Sequence, residues 1–343
     1  MQTKIIKIKD ENDPRLKEAA DVLKADGLVV FPTETVYGLG ANALKADAAK
    51  KIYAAKGRPS DNPLIVHFDK VEDVEKYAFC EGNNFYKLAA AFMPGPLTVV
   101  LPKKTSVPDA TTGGLDTVAV RVPENKIARA LIKLCGFPIA APSANISGRP
   151  SPTSAEHCIK DLFGRVDVII ESENCEIGLE STVVSLSGNE VVILRPGKIT
   201  YERLSAVVGE GHVKKGYEKK LSMGEKPLSP GMKYRHYAPK AAMYAVVGEH
   251  DRVIEFLRSK QSEKCAVICF TEDEQYFGKS NVVISLGKRD DTEEQAKKLF
   301  DILRSFDETQ IEEIYTVLPN EDGMGSALRN RMIKACAGNV IEV

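Results

Sequence analysis

Seven short apolar runs recur between residues 27 and 196: GLVVFP, LIVHF, LTVVL, TVAVRVP, FPIAAPS, STVVSL and VVILRP. They are five to seven residues long and rich in Val, Ile and Leu, and helical patterns near 14–25, 46–56, 83–92, 124–134 and 154–163 lie among them. Runs of that length are strands, because helices need about ten residues or more to bury a stripe. Strands alternating with helices restrict residues 1–200 to a mixed α/β sheet, and the proline-terminated ends imply a twisted one. The stretch TETVYGLGA after the first run reads as a loop.

A second pattern begins near residue 241. The runs AMYAVV, CAVICF, NVVISL and IEEIYTVL are separated by helical patterns at about 251–260, 291–306 and 325–337. That alternation predicts a smaller, parallel, Rossmann-like α/β domain over 241–343. Its last strand is followed by EDGMGSALRNRM, in which Gly323 and Gly325 precede a helix. As a dinucleotide fingerprint this is weak, since Leu328 stands where the third glycine belongs, and a helix-start turn is the better reading. Between the domains, residues 201–240 are rich in Lys, Gly and Pro and read as a linker.

Charge divides the chain along the same lines. Residues 1–200 are neutral, 201–240 carry a net +5 and 241–343 a net −6, for a total of −1. No whole-molecule field exists to attract nucleic acid or an anionic membrane. The seven cysteines are odd in number and form no CxxC pair, which argues for a reducing compartment without a zinc finger. No run has the length of apolar sequence that a membrane span needs, and the start MQTKIIKIKDEND lacks a signal-peptide core, so a cytoplasmic location is expected.

The chemistry lies in the polar residues at strand and helix ends. Lys56 and Arg58 sit where the helix ADAAKKIYAA stops at Gly57 and Pro59. Cations there complement the helix dipole, yet that does not explain Ser60, Asp61 and Asn62, which follow at once. In TVAVRVP, Val118, Val120 and Val122 point one way, while Thr117, Ala119 and Arg121 point the other. Arg121 therefore faces either solvent or a concavity with room above Ala119. His67 lies opposite Leu64, Val66 and Phe68, Ala141, Ser143 and Asn145 follow one another as a strand breaks at proline, and Arg195 closes the run VVILRP. Four cations beside hydroxyl and amide groups suit a polyanion such as a triphosphate, and the absence of GxxxxGK[ST] excludes a P-loop.

The KxR of Lys56 and Arg58, followed far downstream by the SxN of Ser143 and Asn145, resembles the signature of the YrdC-type domain family. FPTETVYGLG, KGRPSDNPL, MPGPLTVVL, APSANISGRPSPT, LESTVV, ILRPG and the linker segment SPGMKYRHYAP are similar to that family's long, two-domain members. The resemblance implies an enzyme, a nucleotidyltransferase that joins L-threonine, bicarbonate and ATP into threonylcarbamoyl-AMP and pyrophosphate for tRNA modification. It implies that Thr35, His67, Arg121, Ala141 and Ser181 surround threonine, with Arg121 on the carboxylate and an Ala141 carbonyl for the amine. Lys56, Arg58, Asn62, Thr117, Ser143, Asn145, Ser151 and Arg195 would hold ATP in a concave cavity of the first domain, with Lys56 and Arg58 as the catalytic residues. Mg2+ would arrive on the phosphates, and the labile product would pass to the transferase complex that modifies tRNA. Two other readings are weighed against it. A carbamoyl-adenylate-forming hydrogenase maturation enzyme would carry CxxC zinc pairs, and an RNA-binding module would be served by the basic linker.

Overall fold

A computed structural model describes residues 2–218, 236–260, 262–278 and 282–343. The chain divides into two compact units. In chain order the first contains β1 (Lys4–Lys7), α1 (Leu16–Lys24), β2 (Val29–Phe31), β3 (Gly38–Asn42), α2 (Ala46–Lys56) and β4 (Ile65–His67). It continues through α3 (Asn84–Phe92), β5 (Leu97–Pro102), α4 (Asp109–Thr112), β6 (Thr117–Arg121), α5 (Lys126–Cys135), β7 (Ile139–Ala141) and α6 (Ala155–Leu162). The last elements are β8 (Val168–Glu171), β9 (Thr182–Ser187), β10 (Glu190–Arg195), α7 (Tyr201–Val208) and β11 (Val213–Lys215). The strands make one mixed sheet in the order β1-β8-β2-β3-β7-β4-β6-β5-β9-β10-β11.

The period-two reading of β6 is realised in packing. Val118, Val120 and Val122 enter the large core with Val66, Leu97 and Val99. Ala119 turns to a small cluster with Ile65, Val100, Val183 and Leu194. Register fixes which polar residues share that second face: Ile139 is opposite His67, and His67 is opposite Arg121, across β7, β4 and β6. Helix ends obey local chemistry. Asn125 accepts from the Ala128 N–H at the start of α5, and α2 stops at Gly57, which adopts φ 61°.

Two expectations are corrected. Residues 38–41, read as loop, belong to β3, which is antiparallel to both β2 and β7. Its composition hid it, because GLGAN lacks β-branched residues. The ring of Phe31 fills the space that side chains on this strand would occupy: a Cβ on Gly40 would lie 2.8 Å from Ile139 Cγ2 and 2.9 Å from Phe31 Cε1. The second correction is to the linker, expected from 201. Residues 201–208 form α7, capped by Thr200, and β11 adds to β10 in parallel, so 201–218 belong to the first unit. Most of SPGMKYRHYAP lies outside the described residues.

The second unit comprises the described part of 234–343 with the short segments 148–150 and 177–179. Its elements are β12 (Ala242–Val247), α8 (His250–Ser259), β13 (Cys265–Cys269), β14 (Val282–Ser285), α9 (Thr292–Ser305), β15 (Glu313–Thr316), α10 (Gly325–Ala335) and β16 (Val340–Glu342). The sheet is β14-β13-β15-β12-β16, parallel at every pair, as the strand–helix alternation predicts. Among the described residues, no helix is long and apolar enough to cross a membrane.

The glycine reading of β3 is testable. Gly40→Ala should destabilise the fold by about 1–3 kcal/mol, the usual cost of overpacking a closed core. Urea unfolding measures it; an unchanged midpoint would mean that Phe31 and Ile139 yield freely.

Candidate active site

The central strands β7, β4, β6, β5 and β9, with the loops leaving them, carry most of the residues singled out in the sequence. Arg121, at the end of β6, is only 4% exposed, and its Nη2 donates to Glu34 Oε1 at 2.6 Å. Glu34 is equally buried and also lies 3.5 Å from the Asn125 N–H. The Arg121 Nε is buried and makes no hydrogen bond among the described residues. An arginine fixed on one side by a carboxylate, with an idle donor in a dry setting, is prepared for an anion on its other side.

His67 is next to Arg121 across the strand pair. Its Nδ1 lies 3.1 Å from the Ile65 carbonyl, and its ring meets Phe31 edge-on at 6.0 Å. Burial, then the Arg121 charge, push its pKa down to about 3, so the imidazole is neutral at ordinary pH. Thr35 is fully buried and shares a 2.8 Å hydrogen bond with Thr33. Because the Thr33 hydroxyl donates to the Val36 carbonyl, Thr35 is the donor of that pair, which leaves its oxygen as an acceptor.

On the other side of β6, the Ser181 hydroxyl shares a 2.7 Å hydrogen bond with Thr98. Arg195 donates through Nε to the Ser181 carbonyl at 3.1 Å and through Nη2 to its hydroxyl at 3.2 Å. Ser181 and Arg195, given to different substrates in the sequence reading, are therefore direct neighbours. Ser151 donates to Glu180 Oε1 at 2.5 Å, one residue before Ser181.

The KxR and SxN motifs meet through Lys56. Its ammonium, 1% exposed, donates to the carbonyls of Ser143, at 2.5 Å, and Asn145. Ser143 in turn donates to Asn145 Oδ1 at 2.6 Å. Lys56 thus fixes the loop that follows β7, where Ala141 pairs with Ile65. Arg58 wraps its own turn, donating to the carbonyls of Asn62 at 3.2 Å and Pro63 at 3.0 Å. Asn62 is 1% exposed, and among the described residues its side-chain oxygen has no partner, the second idle buried group of the site. Thr117 stands at the opposite end of β6 from Arg121, about 13 Å away at ordinary strand rise, and is only partly buried.

Sequence reasoning missed Glu34, Glu180 and Thr98. Both carboxylates stand in motifs quoted above, FPTETVYGLG and LESTVV, each flanked by apolar or hydroxyl residues. The signal was available: an arginine buried in a sheet requires a counter-charge. Lys56, Arg58, Arg121 and Arg195 against Glu34 and Glu180 leave an excess of two positive charges among these buried groups. Among the described residues, no three His, Cys, Asp or Glu form a cage for a metal.

The Sua5/YciO/YrdC family profile, described as telomere recombination, matches residues 21–197, and that of the threonylcarbamoyl-AMP synthase C-terminal domain matches 199–337. The threonylcarbamoyl-AMP synthase of Bacillus subtilis is 45% identical over 99% of this chain and 100% of its own. That of Pyrococcus abyssi is also 45% identical, over 96% of each chain. The crystal structure of P. abyssi Sua5 complexed with L-threonine superposes with a TM-score of 0.91 at 43% identity, covering 99% of this chain and all of that one. Matched by the two profiles from residue 21 to 337 and by these relatives over 96–99% of its length, the chain belongs to the threonylcarbamoyl-AMP synthase family of enzymes.

Proposed function

We propose that this chain condenses L-threonine, bicarbonate and ATP into threonylcarbamoyl-AMP, releasing pyrophosphate, as a step in tRNA modification. The observation that carries the proposal is Arg121: buried, neutralised on one side by Glu34, and with a donor left idle. A threonine carboxylate would occupy that donor. The Ala141 carbonyl would accept from the amine, and Thr35, neutral His67 and Ser181 would line the remaining faces. A neutral imidazole suits this role, since a second cation beside Arg121 would bind anions without regard to shape.

Bicarbonate converts the amine to a carbamate with loss of water. A carbamate oxygen then attacks the α-phosphorus of ATP, and pyrophosphate leaves. No covalent intermediate with the protein is needed, so catalysis rests on positioning and charge. Arg58, Asn62, Thr117, Ser143, Asn145, Ser151 and Arg195 would hold the nucleotide, with Lys56 bracing the Ser143–Asn145 loop beneath it. Magnesium carried on the phosphates would supply charge neutralisation there. The donor set fits that mode, being lysine, arginine, amide and hydroxyl groups with Glu180 as the acid held by Ser151. Handover of the labile product to a tRNA-modifying transferase belongs to the same proposal.

Pyrophosphate release from ATP should require threonine and bicarbonate together and no RNA. Release that depends on RNA, or that ignores threonine, would overturn the reading. Arg121→Gln combined with Glu34→Gln, which leaves no lone buried charge, should weaken threonine binding roughly ten- to a hundredfold with ATP affinity nearly unchanged. Calorimetric titration of each ligand separates the two, and equal losses would reassign Arg121 to general electrostatics.

His67 yields a pH prediction. Its folded pKa, about 3, lies below the unfolded value of 6.5, so the unfolded chain takes up a proton that the folded one refuses. The stability contributed by neutral His67 is complete above pH 6.5 and falls as the pH drops towards 3, by up to about 1.4 kcal/mol per pH unit. His67→Gln should flatten that slope in urea titrations between pH 6.5 and 4; an unchanged slope would mean that the imidazole charges freely.

A further inference from the structure

The second unit holds a cleft that the proposed reaction does not use. It lies at the carboxyl ends of β12, β13 and β15, has a volume of about 230 Å³, and is lined by Val247, His250, Phe270, Asp273, Arg289 and Arg329 among others. Open parallel sheets bind ligands at this edge, where loops diverge and helices begin.

Charge makes the cleft unusual for its setting. Residues 241–343 carry a net −6, yet Arg289, Arg329 and His250 line the cleft with one carboxylate, Asp273, while Asp251 and Glu321 pair with His250 and Arg329 from beside it. That carboxylate, 3% exposed, is already engaged: Arg289 Nη2 donates to both its oxygens at 2.9 and 2.8 Å, and His250 Nε2 lies 3.0 Å away. Hydrogen bonds to Asp273 and Asp251 raise the pKa of His250, which favours its cationic form.

Arg289 is held rather than loose. One face of its guanidinium covers the Phe270 ring at 4.6 Å, and the side chain is 37% exposed. Among the described residues its Nε and Nη1 make no hydrogen bond. Arg329, on α10, uses Nε on Glu321 and Nη1 on the Pro319 carbonyl, which leaves Nη2 without a hydrogen bond among the described residues. Helix α8 begins at the cleft, and Glu249 at its N-cap supplies no side-chain hydrogen bond to the first amides. Apolar side chains such as Val247, Ile254 and Leu318 complete the wall.

We propose that this cleft binds a nucleoside monophosphate. The phosphate would take the remaining donors of Arg329 and the first amides of α8. The base would lie against the apolar wall and the open face of the Arg289 guanidinium, a plane on which aromatic rings stack. At about 230 Å³ the cleft is smaller than the usual ligand pocket, about 300–1,000 Å³, which favours a single nucleotide, part of it left in solvent, over a dinucleotide. This accounts for Gly323 and Gly325 before α10 without a dinucleotide fingerprint: they start the helix that carries Arg329. The proposal does not depend on the reaction at Arg121. Should that reaction hold, any transfer from an acyl-adenylate to a nucleophile releases AMP, a ligand of this class.

Hydrogen exchange on the full chain tests the site, with the first unit kept saturated by threonine and a non-hydrolysable ATP analogue. AMP should slow exchange in 246–254 and 317–329, whereas adenosine and inorganic phosphate at equal concentration should do so weakly. Arg329→Gln, which leaves Asp273 paired, should raise the AMP Kd about tenfold, and Arg289→Lys should do the same by removing the stacking plane. Absent protection by AMP, protection as strong with phosphate alone, or an unchanged Kd in Arg329→Gln would each overturn the proposal.

Discussion

The ion pair between Arg121 and Glu34 governs how this site is built. Neither side chain is more than 4% exposed, and the pair is 2.6 Å long in the middle of a mixed sheet. A buried pair of this kind adds little net stability, because desolvation cancels most of the attraction, but breaking one half costs several kcal/mol. Its consequence is therefore geometric. Glu34 holds Arg121 at the end of β6 while Arg121 Nε remains idle. The other half of the proposed site follows the same logic, with Arg195 held on Ser181 and Lys56 on the Ser143–Asn145 loop. Each cation is immobilised by the protein before any ligand arrives, which removes the ordering cost that a flexible lysine or arginine would impose on binding.

Much of this was legible in the sequence, for identifiable reasons. Alternation in TVAVRVP separated Val118, Val120 and Val122 from Arg121, since a strand places successive side chains on opposite faces. The clustering of hydroxyl and amide residues at proline-broken ends marked Ser143, Asn145 and Asn62. What alternation leaves open is the choice between solvent and a concavity for Arg121. That depends on which strands flank β6, and pairing is a long-range property. The same limit hid Glu34, whose partner is 87 positions away. It also hid the contact between Ser181 and Arg195, which follows from the pairing of Arg195 with Val183 across a register shift.

The fold was read least well where composition and packing diverge. GLGAN has the makeup of a loop and the register of a strand, because Phe31 supplies the bulk that Gly38 and Gly40 omit. Residues 201–218 sit in a Lys- and Gly-rich stretch, yet Leu204 and Val208 bury one face of α7, and β11 finds an unpaired edge on β10. Local propensity was overruled in both places by an available surface.

Lys56 shows why the two signature motifs are separated by so much sequence and still act together. A lysine at a helix C-terminus would ordinarily extend into water and complement the dipole. Here the turn at Gly57 ends α2 against the loop after β7, and the ammonium is drawn into two carbonyls of that loop. Each contact is charge-assisted, and burying the ammonium without them would cost several kcal/mol. The loop in turn cannot drift without exposing that charge to an unsatisfied setting. KxR and SxN are thus two halves of one brace. The helix end supplies the cation, the strand end supplies the acceptors, and the Ser143 and Asn145 side chains are oriented by a bond that their backbone makes.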